Sequence, residues 1–268
     1  MPEVEVGDIR IHYDLRGSGP HVVLIPGLSL DSQIWEPIAA RLEPELTCLM
    51  PDNRGAGLSD VPRGPYTVTE LAGDLYGLLM ILGIESAVVV GHSMGGYVAQ
   101  QLALDSPELV KALVLVSTSS TGRQDLLGMS KEAARALSRT RGPIEEIARD
   151  NVHASVSRSF VAERPELVED FVAARIARPP RGRGVQGQRA AADAHDVRDR
   201  LWELQCPCTV IHGTDDRLIP IERGRELASG IEDARMIELQ GVGHLPQLEA
   251  PDELAGEISR AAEVDIGS

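Results

Sequence analysis

The chain is 268 residues long, 43% hydrophobic and 25% charged, with a formal net charge of −15. That length can bury one large core, and an α/β chain of this size is commonly one unit with an insertion. So acidic a surface repels phosphate backbones and anionic lipid, which argues against nucleic-acid and membrane partners. No apolar stretch reaches about 18 residues free of charge, so no membrane span is expected. Residues 1–14 alternate acidic and apolar side chains and do not read as a signal peptide. The three cysteines, Cys48, Cys206 and Cys208, form neither a disulfide framework nor a zinc spacing. Cys208 reads as a small core residue, and a reducing cytoplasm is the expected compartment.

Residues 3–6 and 9–14 alternate like an exposed antiparallel hairpin at a sheet edge. Short apolar runs at 22–25, 46–50, 87–90, 112–116, 209–212 and 235–239 read as strands of a main sheet. Helical patterns lie between them at 34–42, 68–82, 95–104, 222–228 and 252–262, the rhythm of a mainly parallel sheet covered by helices. Thr67 and Glu70 stand at capping-box spacing and start the second of these helices.

The rhythm breaks between Ser117 and Leu204. This stretch offers amphipathic helices at 131–139, 143–149 and 165–177, and basic residues concentrate in it although the whole chain is acidic. Arg178-Pro-Pro-Arg-Gly-Arg-Gly184 then predicts a break, because proline and glycine oppose helix continuation. Asp196 reads as a helix cap. The expected organisation is a core of residues 1–116 and 205–268, with 117–204 as a helical insertion. The insertion should lie over the C-terminal edge of the sheet, where open α/β sheets bind ligands.

Gly91-His92-Ser93-Met94-Gly95 is a G-x-S-x-G motif between the β-branched run 88–90 and a helical pattern. A strand–serine–helix elbow needs small neighbours because the serine sits in a strained turn. It exposes Oγ above the sheet and aims the Met94 amide at a substrate. Among seven histidines, His244 stands apart, in the glycine-bearing loop Gly241-Val-Gly-His-Leu-Pro beyond the last strand. An acid from the pair Asp215-Asp216, just after the run 209–212, could fix its tautomer; the other aspartate would close a turn. Pro26-Gly27-Leu28 ends the first main strand, and the glycine can present the Leu28 amide outward as a second oxyanion donor.

Together these motifs resemble the α/β-hydrolase superfamily over nearly the whole chain. Pro26-Gly27-Leu28 matches its oxyanion loop, with proline where the family usually has histidine. Asp52-Asn-Arg-Gly-Ala-Gly-Leu-Ser59 matches the D-x-R-G-x-G-x-S segment, and residues 91–95 match the nucleophile elbow. Gly213-x-x-Asp-x-x-x-Pro220 matches the acid loop, whose register selects Asp216 over Asp215. Gly243-His-Leu-Pro-Gln-Leu-Glu249 matches the histidine loop. The resemblance implies an α/β-hydrolase fold, a mostly parallel eight-stranded sheet flanked by helices with a helical cap.

Within the superfamily the chain is most similar to small carboxylesterases and 3-oxoadipate enol-lactonase-like enzymes. That implies a serine hydrolase cleaving a small-molecule ester or lactone, with Ser93, His244 and Asp216 as triad and no metal or organic cofactor. Leu126, Leu127, Met129, Phe160 and Phe171 are candidate substrate lining, with the cap's own core as the competing reading. A C–C bond hydrolase, a perhydrolase, or a ligand receptor retaining the triad are the alternative functions.

Overall fold

The computed structural model describes residues 2–123, 128–139 and 141–263. Its strands are β1 (Glu3–Val6), β2 (Ile9–Arg16), β3 (His21–Ile25), β4 (Thr47–Pro51), β5 (Ala87–His92), β6 (Val110–Val116), β7 (Cys208–Gly213) and β8 (Arg235–Leu239). They form one sheet in the order β1-β2-β4-β3-β5-β6-β7-β8. β1, β2 and β4 pair antiparallel, and every pairing from β4 through β3 to β8 is parallel. β5 and β7 are buried along their whole length, as parallel strands covered on both faces must be.

Side chains leave a strand alternately to its two faces, and each face has its own core. Val23, Ile25, Val89, Leu113 and Leu115 pack with helices α2 (Val68–Leu82) and α3 (Met94–Asp105). Val22, Leu24, Val88, Val90 and Val114 pack against α1 (Glu36–Leu42) and the C-terminal helix Pro251–Glu263. α2 starts where the capping box places it: Glu70 N–H donates to Thr67 Oγ1 at 3.1 Å and Thr67 N–H to Glu70 Oε2 at 2.8 Å. It stops at Gly83, with φ of 68°, the left-handed residue that ends many helices.

Between β6 and β7 lie α4 (Lys131–Ser138), α5 (Ile144–Ser155), α6 (Arg158–Glu163), α7 (Pro165–Ala177) and α8 (Gly182–Ala194). The helical pattern stops where proline and glycine predict, with α7 ending at Ala177 and residues 178–181 non-helical. α8 then begins inside the same motif, at Gly182, and runs through Gly184 and Gly187. These glycines are packing devices, for a Cβ on Gly184 would stand 1.9 Å from Gly55 O and one on Gly187 2.4 Å from the Tyr66 ring. Asp196 is not a helix cap. The next helical turn, Arg198–Glu203, has Val197 at its cap position, and Asp196 Oδ1 accepts the Arg198 N–H at 3.3 Å while pairing with the Arg198 guanidinium.

The seat of α8 is testable. Gly184→Ala forces backbone apart and should lower stability by about 1–3 kcal/mol. Gly182→Ala, with nothing within 4 Å of its added Cβ, should leave stability unchanged or raise it by up to about 1 kcal/mol. Urea midpoints that move together for both variants would contradict this.

Candidate active site

The strand order reverses around β3 and β5, and a crevice opens where neighbouring parallel strands send their chains opposite ways. Leu28 follows β3, Ser93 follows β5, Asp216 follows β7 and His244 follows β8, all at C-terminal strand ends.

Ser93 sits between β5 and α3 with φ of 52° and ψ of −121°. A non-glycine residue holds such a conformation only when its surroundings enforce it. Its N–H donates to Val116 O at 2.9 Å, and its carbonyl accepts Gly96 N–H and Thr118 Oγ1, each at 2.8 Å. The flanking glycines admit the crossing: a Cβ on Gly91 would meet Gly95 O at 2.3 Å, and one on Gly95 would meet Ile25 O at 2.3 Å. Met94 opens α3, so helix geometry leaves its N–H without an intrahelical acceptor.

Of the two aspartates, Asp216 meets the histidine, and Asp215 is exposed. Asp216 Oδ2 accepts His244 Nδ1–H at 2.7 Å, and His212 Nε2 lies 3.3 Å from the same oxygen. Oδ1 takes the N–H groups of Leu218 at 2.8 Å and Ile219 at 2.9 Å. Burial alone would push the Asp216 carboxyl upward; the neighbouring His244 and His212 outweigh it and hold the group well below the usual carboxylate range.

His244 is buried, and its loop is fastened from both sides. Its N–H donates to Ser155 O at 2.8 Å, and its carbonyl lies 2.8 Å from Nε2 of His92. A carbonyl only accepts, so His92 carries its proton on Nε2. Burial, reinforced by His244, pushes the His92 imidazole down to about 3, so it stays neutral. Glu249 accepts Gly243 N–H and Ser157 N–H, both at 3.0 Å, and so ties the histidine loop to the segment between α5 and α6. Burial raises its carboxyl against those two donors.

The Gly27 loop packs on the elbow: a Cβ on Gly27 would lie 3.1 Å from the Ser93 Cβ. Leu30 N–H donates to Gly27 O at 3.2 Å, closing a four-residue turn. A trans peptide points its N–H opposite its C=O, so the Leu28 amide faces away from that turn.

The candidate lining is distributed more widely. Leu126 and Leu127 lie outside the described residues. Met129 is half-buried and packs with Ala133, Ala154, Leu218 and Ile219, the last two just beyond Asp216. Phe160 is buried, and Phe171 half-buried, in the cluster that joins the 117–204 segment to the α1 face of the sheet. His92, His212 and Glu249 were given no role by the sequence, although Glu249 stands inside the histidine-loop motif. Among the described residues no group of three or more histidine, cysteine or acidic side chains is placed to hold a metal ion, and no helix is long and apolar enough to cross a membrane.

Comparison with known proteins agrees with this architecture. A family model of the alpha/beta hydrolase fold matches residues 20–251. The enol-lactonase of Burkholderia xenovorans LB400 superposes with a TM-score of 0.86 at 27% identity, covering 98% of this chain and 100% of its own. A thermophilic esterase from Thermogutta terrifontis gives 0.83 at 28% identity, covering 97% of each chain. The 2-hydroxy-6-oxo-6-phenylhexa-2,4-dienoate hydrolase of Comamonas testosteroni is 30% identical over 94% of this chain and 91% of its own. With its eight-stranded sheet and a serine, a histidine and an aspartate carried at the ends of the parallel strands, this chain belongs to the alpha/beta hydrolase fold family and is a hydrolase.

Proposed function

We propose that the protein hydrolyses a carboxylic ester or lactone through an acyl-enzyme on Ser93. The observations that carry this reading are the strained serine at the β5–α3 elbow and the buried Asp216–His244 hydrogen bond, both at C-terminal strand ends of one sheet. Asp216 is ionised and holds the proton of His244 on Nδ1, which leaves the Nε2 lone pair as the base. In the proposed sequence His244 takes the Ser93 proton as Oγ attacks the carbonyl carbon. The tetrahedral oxyanion is held by the amides of Leu28 and Met94, and His244 returns the proton to the departing alkoxide. Water, deprotonated by His244, then attacks the acyl carbon and releases the acid and Ser93. For a lactone, alcohol and acid remain one molecule. An oxyanion-hole donor of this kind contributes about 3–4 kcal/mol to the transition state.

Residues 1–116 and 205–268 would supply this chemistry, with 117–204 as the cap that shapes the substrate site. The likeness to an enol-lactonase and an esterase over nearly whole chains supports the substrate class. The Comamonas relative favours a second reading, since its named substrate is a ketone-bearing dienoate and not an ester. Fast turnover of p-nitrophenyl esters supports the first reading; poor ester turnover with cleavage of a β-diketone-like compound supports the second.

A fluorophosphonate probe should label active enzyme once, with the adduct on the peptide holding Ser93, and Ser93→Ala should remove both labelling and ester turnover. Stoichiometric labelling elsewhere would refute the assignment. Asp216→Asn should lower kcat about a hundredfold or more, whereas Asp215→Asn, at an exposed position, should change it little; the reverse order would reassign the acid. Substitutions at Leu127, Met129 or Phe160 should shift the preferred acyl length, each methylene counting for about 1–3 kcal/mol, without abolishing Ser93 labelling. An unchanged chain-length profile in kcat/KM would place the pocket elsewhere.

A further inference from the structure

His92 stands next to the nucleophile and takes no part in the steps above, yet its side chain joins the elbow to two other loops of the site. As the last residue of β5 it shares a face with Val88 and Val90, and it is fully buried. One edge of its ring meets the turn after β3, where a Cβ on Gly27 would stand 2.9 Å from Nδ1. The other nitrogen, Nε2, donates to the His244 carbonyl at 2.8 Å. Trp35 packs edge-on with ring centroids 6.5 Å apart, and the tilted His244 ring has its centroid at 4.8 Å. These contacts leave the imidazole little room to turn. Nδ1 is buried without a hydrogen-bond partner among the described residues, so the ring's polar engagement is the bond from Nε2.

That bond falls on the residue proposed as the base. His244 is held at three points: its N–H on Ser155 O at 2.8 Å, its Nδ1–H on Asp216 Oδ2 at 2.7 Å, and its carbonyl on His92. The first two tie it to the segment between α5 and α6 and to the loop after β7. The third ties it to the residue covalently joined to Ser93. A buried carbonyl that loses its donor is left unsatisfied, and the loop carrying it gains a reason to move. A displacement of about 1 Å between reacting groups can cost on the order of a hundredfold in rate.

We propose that His92 is a positioning residue that sets the separation of base and nucleophile, its Nε2–H gripping the His244 backbone from the strand end that carries Ser93. The proposal rests on the serine-hydrolase reading above, in which His244 takes the Ser93 proton. The residue before the nucleophile thereby serves the base, 152 positions further along the chain.

The test compares His92→Met, which fills much of the ring's space without a donor, with His92→Gln, whose amide N–H reaches about as far as Nε2. The second-order rate of Ser93 phosphonylation by a fluorophosphonate reads activation of the serine by its base. His92→Met should slow it by about tenfold to a hundredfold. On an ester the same variant should lower kcat while leaving KM nearly unchanged, as expected for an effect felt in the transition state. His92→Gln should return both rates to within about threefold of wild type, because it restores the donor. The proton between His244 Nδ1 and Asp216, which resonates far downfield, should shift or broaden in His92→Met and recover in His92→Gln. Loss of packing alone would lower the stability of both variants without separating them in this resonance.

A wild-type phosphonylation rate in His92→Met overturns the proposal, and so does a His92→Gln variant as slow as His92→Met. A folded wild type in which Ser93 is not labelled overturns the serine-hydrolase reading itself. If His92→Met fails to fold, the wild-type protein still decides. Its long-range proton–nitrogen correlation spectrum should show His92 neutral with the proton on Nε2. A proton on Nδ1 would take the donor away from the His244 carbonyl and overturn the proposal.

Discussion

A carboxylate cut off from water must be ringed by donors or give up its charge, and the charge on Asp216 organises this site. Its two oxygens engage two backbone N–H groups and two imidazoles. Meeting that demand shapes everything nearby. The chain after β7 folds back at once so that Leu218 and Ile219 can present their amides. His212, still on β7, reaches Ile219 O at 2.8 Å and braces the same turn. The loop after β8 brings His244 in from the other side. A neutral Asp216 would free the His244 Nδ1 proton from its anchor, and the tautomer on which the proposed base depends would no longer be set.

The same loops are held from above. Glu249 bridges Gly243 N–H and Ser157 N–H, and Ser155 O takes the His244 N–H. Arg217, in the acid loop, donates to Val156 O at 2.8 Å and also to His153 O. The opposite half of the crevice is gripped by Gln188 and Arg175 at Ser29. The segment between β6 and β7 is therefore fastened to the loops after β3, β7 and β8. To swing away as a rigid body it would have to surrender these bonds together, which favours substrate entry without wholesale opening.

Much of this was legible in the sequence, and the exceptions share a cause. The strands could be read because parallel strands buried on both faces are continuous apolar runs, as in β5 and β7. The bounds of α2 could be read because Thr67, Glu70 and Gly83 mark them chemically. The elbow and the histidine loop were visible as local patterns, whereas the residues alone left Asp215 and Asp216 open until a family register chose between them. α8 was missed because its glycines answer to Gly55 and Tyr66, partners far away in the chain. Gln188 and Arg175 carry no local signal at all, because both serve Ser29, 159 and 146 residues away in the chain.

The basic character of the 117–204 segment finds its explanation in the same long-range demand. In an acidic chain, a cluster of arginines invites the idea of an anionic substrate. Several of these guanidiniums are instead spent on backbone carbonyls. Arg181 Nη2 donates to Ala56 O at 3.1 Å, Gly57 O at 2.7 Å and also to Ser59 O, closing over the Asp52-to-Ser59 loop. Arg175 serves Ser29 O in the same way. Loop carbonyls that lack a helix or ladder partner need donors, and a planar guanidinium offers five in a fixed fork. Lysine, with a single compact ammonium, could not serve such spread acceptors from one position. Arg175 and Arg181 thus act inward, on the loops that carry the site, while Arg139, Arg149, Arg158, Arg164, Arg198 and Arg200 pair with carboxylates of the chain itself. The segment's basic character therefore does not by itself require a negatively charged substrate.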